Sequence, residues 1–167
     1  MRRIIVITGD GKGKTTSAIG AAVRALGRGF VVKFYQFIKS KDVDYGEHLC
    51  FEGFARLGHG CRKDLKYGPK DKKAAVDGLK RVDAELSKTK NKDVLCVLDE
   101  VTYPINWKWF GVDEVIKIIK KHGKINFILT GRDMPKKLIS LADTVSEVKE
   151  IKHAYQKGCK AQKGIEL

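Results

Sequence analysis

The stretch IIVITGDGKGKTTSAIG, Ile4 to Gly20, constrains the fold of this chain more than any other. Four apolar residues make a short buried strand, glycines at 9, 11 and 13 make a tight loop, and an alanine-rich run from Thr15 to about Leu26 makes a helix that Gly27 stops. Gly13, Lys14 and Thr15 supply the last three positions of the pattern G-x-x-x-x-G-K-[ST], while Thr8 stands where its first glycine would be. The chemistry of such a loop is anion binding. Glycines let backbone N–H groups turn inward, and the helix that follows points its positive end at the anion. The expected nucleotide-binding set is Gly9, Asp10, Gly11, Lys12, Gly13, Lys14, Thr15 and Thr16. Lys14 neutralises phosphate charge, Thr15 lends its hydroxyl to a magnesium ion, and Thr16 adds a phosphate hydrogen bond.

The remaining pattern places other polar groups at strand ends. FVVKFYQFI, Phe30 to Ile38, reads as a second strand, and Ala75, Leu79, Val82 and Leu86 mark the buried face of a helix from about Asp71 to Ser87. DVLCVLDE is a third strand ending in Asp99 and Glu100, the acids expected to hold the metal with Thr15. Val112, Val115, Ile116 and Ile119 mark another helix, INFILTG is a strand leading to Arg132, and MPKKLISLAD is a short helix with Pro135 near its start. Alternating strands and helices predict an α/β chain with a mainly parallel sheet and helices on both faces, a RecA-like P-loop NTPase fold, as one domain over residues 1–167. Ligands of such sheets bind beyond the carboxyl ends of the strands, where the glycine loop, the two acids and Arg132 all fall. Lys39 to Lys70 has no clear period and five glycines, and is expected to act as a mobile cover.

Charge bears on partners. Lys and Arg number 34 against 20 Asp and Glu, a net charge of +14 that favours anionic ligands. The lysines are scattered, without a basic block or interleaved aromatic residues, so a solvated surface around a nucleotide site is the reading and no specific nucleic acid is expected. No export signal and no apolar run of membrane-spanning length is visible, which predicts a cytoplasmic protein without a membrane partner. Cys50, Cys61, Cys96 and Cys159 form no C-x-x-C pair; His48-x-Cys50 and His59-x-Cys61 are a weak zinc pattern with spacing that structural zinc sites rarely use. The N-K-x-D motif of a GTPase and the arginine-rich lid of a nucleotide kinase are both lacking.

TGDGKGKTTSAIGAAVRALGRG, VVKFYQFIK, VLDEVTYPINW, FILTGRDMP, LADTVSEVKEIKHAY and the tail KGCKAQKGIEL together resemble the P-loop corrinoid adenosyltransferases of vitamin B12 synthesis and salvage. The resemblance covers nearly the whole chain, and Thr8 agrees with that family's version of the loop. It implies transfer of the 5′-deoxyadenosyl group of ATP to cobalt(I) of a reduced corrinoid, with release of triphosphate. It also implies magnesium or manganese as cofactor, an electron-donating reductase as partner and a possible homodimer. Lys14 and Glu100 would carry the electrostatic work, and Arg24, Arg132 and His153 match the family's RALG, TGR and KHAY segments. Members of the bacterial type have an N-terminal helical extension and aromatic residues near GHGC, whereas this sequence starts at the first strand and has His59 and Cys61 there. His59 is expected not to ligate cobalt, and Phe51, Phe54, Tyr67, Trp107, Trp109 or Phe110 are candidates for the apolar cover. Two rival readings are a RecA-like ATPase acting on nucleic acid, which would release inorganic phosphate, and a nucleotide or corrinoid carrier without turnover.

Overall fold

A computed structural model describes residues 2–39, 45–49, 53–58, 67–90 and 93–165. Six strands, β1 (Ile4–Thr8), β2 (Val31–Phe37), β3 (Phe54–Leu57), β4 (Val94–Asp99), β5 (Asn126–Thr130) and β6 (Thr144–Glu147), form one sheet in the order β3-β2-β4-β5-β1-β6. Every neighbouring pair runs parallel. The helices are α1 (Lys14–Leu26), α2 (Pro69–Lys88), α3 (Thr102–Asn106), α4 (Val112–Lys121) and α5 (Lys136–Leu141).

Crossover handedness explains where the helices lie. The connection from β1 to β2 runs toward one edge of the sheet, while those leaving β3, β4 and β5 run toward the other. Right-handed crossovers therefore put α1 on one face and the later helices on the opposite face. The core divides accordingly. Ala18 and Ala22 of α1 pack with Ile7, Val32, Phe34, Leu95, Val97 and Ile128, whereas Leu79 and Val82 of α2, Val115 and Ile119 of α4 and Leu138 of α5 pack with Val6, Tyr35, Cys96 and Leu98 on the other side. Covered on both faces, β4 is buried at all six positions, which is why its sequence is one continuous apolar run up to Asp99.

The sheet holds two strands that hydrophobic patterning does not mark. β3 lies inside the segment read as lacking a period, and its four residues, FARL, are too few to show alternation. β6, TVSE, is an edge strand exposed at every position, and its single apolar residue, Val145, makes no pattern. Of the remaining segment, the described residues form a single 3-10 turn at Gly46–Leu49 and the approach to α2. Cys50, Phe51, His59 and Cys61, and with them the zinc pattern and the expectation for His59, lie outside the described residues.

Candidate functional site

Three loops meet past the carboxyl ends of β1, β4 and β5. The glycine loop is held from below by β6: Gly11 N–H donates to Val148 O at 2.7 Å, and Val148 N–H donates to Thr8 O at 2.8 Å. The Gly11 amide is therefore engaged by the fold and not turned inward, although Gly11 itself lines the cleft. A Cβ at Gly9 would lie 2.5 Å from Val148 O and one at Gly11 would lie 2.7 Å from Lys149 O, so the loop can pass over the exit of β6 only on glycine. Thr8 also has a local reason. Its hydroxyl donates to Gly131 O at 2.9 Å and fastens the end of β1 to the end of β5.

Gly13, at φ 118°, turns the chain into α1, whose first turn has no acidic residue and whose N-cap makes no side-chain hydrogen bond. Helix starts ordinarily recruit a capping oxygen or a carboxylate for their unpaired amides. This one instead places Lys14 there, 6% exposed, with its ammonium donating to Gly11 O at 2.8 Å. Burial holds the Lys14 ammonium below its ordinary pKa, against the opposing pull of Glu100. Unpaired amides and a cation at one point make a receptor for a multiply charged anion.

Behind Lys14 lie the two acids. Asp99, fully buried, accepts hydrogen bonds at Oδ1 from Thr15 (2.9 Å) and Thr130 (2.6 Å), and at Oδ2 from Gln36 (3.2 Å). Burial pushes its carboxyl up against those three donors. Glu100 is pushed up to about 7, first by burial and then by the charge of Asp99, and its Oε2 is buried with no hydrogen-bond partner. Its backbone sits at φ 56°, in the left-handed region that non-glycine residues avoid, and Glu100 N–H is tied to Thr130 Oγ1 at 3.0 Å. Ile38 (φ 61°) after β2 and Asp133 (φ 49°) after β5 share that conformation. Backbone strain thus gathers at the carboxyl edge of the sheet, as it does at sites where geometry is held for function.

The cleft formed by these parts has a volume of about 610 Å3. Gly11, Lys12, Gly13, Lys14, Thr15, Thr16, Glu100, Arg132 and His153 line it. Gly9 lies beneath the loop, Asp10 pairs with Arg132 at 3.4 Å on the rim, and Asp99 acts from behind Thr15. His153 Nδ1 accepts from Tyr155 N–H at 3.1 Å and so also caps the short turn of the tail. Arg24 is in the last turn of α1 and exposed; ten residues of helix put it about 15 Å along the axis from Lys14, away from the cleft.

The sequence reading did not include Ile19, Lys39, Glu47, Tyr103 or Ile165 among the lining residues. Tyr103 had a signal, because α3 starts two residues after Glu100 and keeps the chain at the cleft. It opens an aromatic wall. Trp107 lies 5.2 Å from Tyr103, 4.5 Å from Tyr67 and 4.8 Å from Trp109, ring centre to ring centre. Trp109 packs on the core while Trp107 stays 36% exposed. Of the other candidate cover residues, Phe110 is a buried core residue and Phe54 packs on Phe34 at 4.5 Å.

The whole chain, residues 1–167, matches the family described as ATP:corrinoid adenosyltransferase BtuR/CobO/CobP. The chain belongs to this family. It is 36% identical over 168 residues to a corrinoid adenosyltransferase of Escherichia coli (strain K12), an alignment covering 98% of this chain and 84% of that one. It is 37% identical over 168 residues to the corrinoid adenosyltransferase CobA of Salmonella typhimurium, with the same coverage. With a corrinoid adenosyltransferase of Pseudomonas aeruginosa the identity is 34% over 172 residues, 98% of this chain and 83% of the relative. The α/β architecture with its all-parallel sheet agrees with the P-loop fold expected of such a protein. Among the described residues no helix is long and apolar enough to cross a membrane.

Proposed function

We propose that the protein transfers the 5′-deoxyadenosyl group of ATP to cobalt(I) of a reduced corrinoid substrate, releasing triphosphate. The observation that carries this reading is the uncapped start of α1 with Lys14 buried against it, in a cleft that Tyr103 lines with the ring of Trp107 beside it. Cobalt(I) is itself the nucleophile. Its electron pair forms the bond to C5′, the C5′–O5′ bond breaks, and that bonding pair leaves on the triphosphate while the metal becomes cobalt(III). No side chain has to take a proton in this step, so the work of the protein is alignment and stabilisation of the leaving charge. Lys14, the amides of the first turn of α1, Thr16 and Arg132 are the groups assigned to the triphosphate.

Magnesium or manganese fits the same site. Among the described residues no three His, Cys, Asp or Glu side chains meet as a protein-only cage, which suits a cation shared between one or two carboxylates and substrate phosphates. Thr15, Glu100 and Asp99 would hold it, and the unpartnered Oε2 of Glu100 is the oxygen with most to gain. The cation would add positive charge to the triphosphate. Reaching cobalt(I) requires reduction, so the reading includes an electron-donating reductase as a partner, together with pairing of two chains as a homodimer.

The corrinoid, a broad macrocycle with apolar faces, is assigned to the wall of Tyr103 and Trp107. Trp107→Ala is expected to raise the KM for corrinoid about 10-fold, as loss of one good aromatic contact implies, and to leave the KM for ATP within about twofold. Steady-state kinetics with each substrate varied in turn checks this, and equal effects on the two KM values would remove the assignment. The activity itself is tested by anaerobic incubation with ATP, magnesium and chemically reduced corrinoid. The reading expects a light-sensitive cobalt–carbon product, and its failure to form would refute the reading.

A further inference from the structure

Gln36 carries a fully buried side-chain amide beside the cleft and has no part in the reaction described above. It is fully buried on β2, between β3 and β4. A buried amide is tolerated only where its donors and acceptor are satisfied. The sheet register sets Gln36 directly opposite Asp99, and the two side chains share the face that α1 covers. From there the amide nitrogen donates to Asp99 Oδ2 at 3.2 Å and to Glu47 Oε1 at 3.4 Å. With both N–H groups directed at carboxylates, Oε1 of Gln36 accepts, and the group it meets is Nε2 of His48.

The partners belong to two different parts of the site. Asp99 holds Thr15 at the head of α1. Glu47 and His48 belong to the 3-10 turn Gly46–Leu49, and Gly46 and Glu47 line the cleft across from the glycine loop. Beside that turn Tyr45 is buried under the Lys39 ammonium, 3.8 Å from its ring centre, and the His48 ring lies 5.1 Å from that of Phe54. Leu49 is 83% exposed, so the turn does not hold its place by burying its largest apolar side chain.

We propose that Gln36 is a positioning residue that ties this wall of the cleft to the Asp99–Thr15 pair, so that the wall and the phosphate end of the nucleotide site keep a fixed spacing. The proposal rests on the assignment of ATP to the cleft, but not on corrinoid chemistry. A single amide reads the state of both sides: a nucleotide that draws Thr15 or Asp99 toward its phosphates shifts the group to which Glu47 and His48 are bound. The wall thereby responds to an occupied phosphate loop.

Two variants test this. Gln36→Met keeps the length and apolar packing of the side chain and removes the amide. His48→Phe keeps the ring packing on Tyr45 and Phe54 and removes the shorter of the wall's two bonds to the amide, leaving that of Glu47. Each is expected to weaken ATP binding, measured by calorimetry with magnesium and without corrinoid, by about 10-fold, and to speed hydrogen exchange of residues 45–49 in the ATP complex while β2 and β4 stay protected. Should Gln36→Met fail to fold, His48→Phe decides the matter alone. Wild-type ATP affinity together with unchanged exchange at 45–49 would overturn the proposal, and so would faster exchange spread evenly over the sheet, which marks a purely structural role. A wild-type protein that binds ATP but forms no corrinoid product would refute the adenosyltransferase reading while leaving this inference standing.

Discussion

Lys14→Ala is expected to lower turnover about 100-fold with little change in thermal stability. The side chain is 6% exposed, yet its ammonium makes one hydrogen bond, to the carbonyl of Gly11, and belongs to neither core cluster. Its removal costs the fold little. What is lost is a charge-assisted contact to the departing triphosphate, about 2 to 3 kcal/mol in a partly desolvated site, and each 1.4 kcal/mol is tenfold in rate. Because burial already depresses the Lys14 pKa, part of the cost of desolvating this cation is met on folding, and an arriving anion recovers it. Single-turnover kinetics and a thermal melt of the same preparation check the prediction. Turnover within about threefold of wild type in a folded variant would detach the loop from the chemistry.

Gly131→Ala is expected to destabilise the protein by several kcal/mol. Gly131 adopts φ 143°, and a Cβ there would lie 2.0 Å from Thr102 Oγ1 and 2.9 Å from Thr102 Cβ. The conformation alone costs about 1 to 3 kcal/mol for a non-glycine residue and the overlap a similar amount. For a chain of this size that implies a fall in melting temperature on the order of 10 °C. Thr102 is fully buried at the head of α3, so it cannot swing into solvent to make room. A second change, Thr102→Ala, should recover part of the loss by removing the clashing hydroxyl. A Gly131→Ala variant that melts with wild type would mean that β5 and α3 do not approach as described. The result also bears on the site, since the carbonyl of Gly131 accepts from Thr8 and the next residue is Arg132.

Local features of the sequence were the legible ones. The strand, glycine loop and helix at residues 4–26 are consecutive, so their pattern needs no tertiary contact to be read; Lys14 and Thr15 open α1, and Asp99 and Glu100 stand at the end of β4, as expected. Contacts between distant segments were not legible. Gly11 gives its amide to Val148, a residue of the chain leaving an edge strand with no apolar pattern. Gln36 reads as a polar residue, like Lys33, in a mostly apolar strand, and only the register between β2 and β4 shows that it faces Asp99. Arg24 sets a resemblance against local geometry. A matching segment brought it forward, while helix geometry carries it away from the cleft.

The identity of the nucleotide product tests the account most directly. ATP, magnesium, chemically reduced corrinoid and the protein are mixed without oxygen, and the phosphates are separated by anion exchange and quantified alongside the optical change of the corrinoid. If the loop at the head of α1 holds the leaving group, triphosphate appears one for one with the cobalt–carbon product and inorganic phosphate stays at the level of a protein-free control. Release of inorganic phosphate with ADP, independent of corrinoid or stimulated by nucleic acid, would contradict the account and make the protein an ATPase.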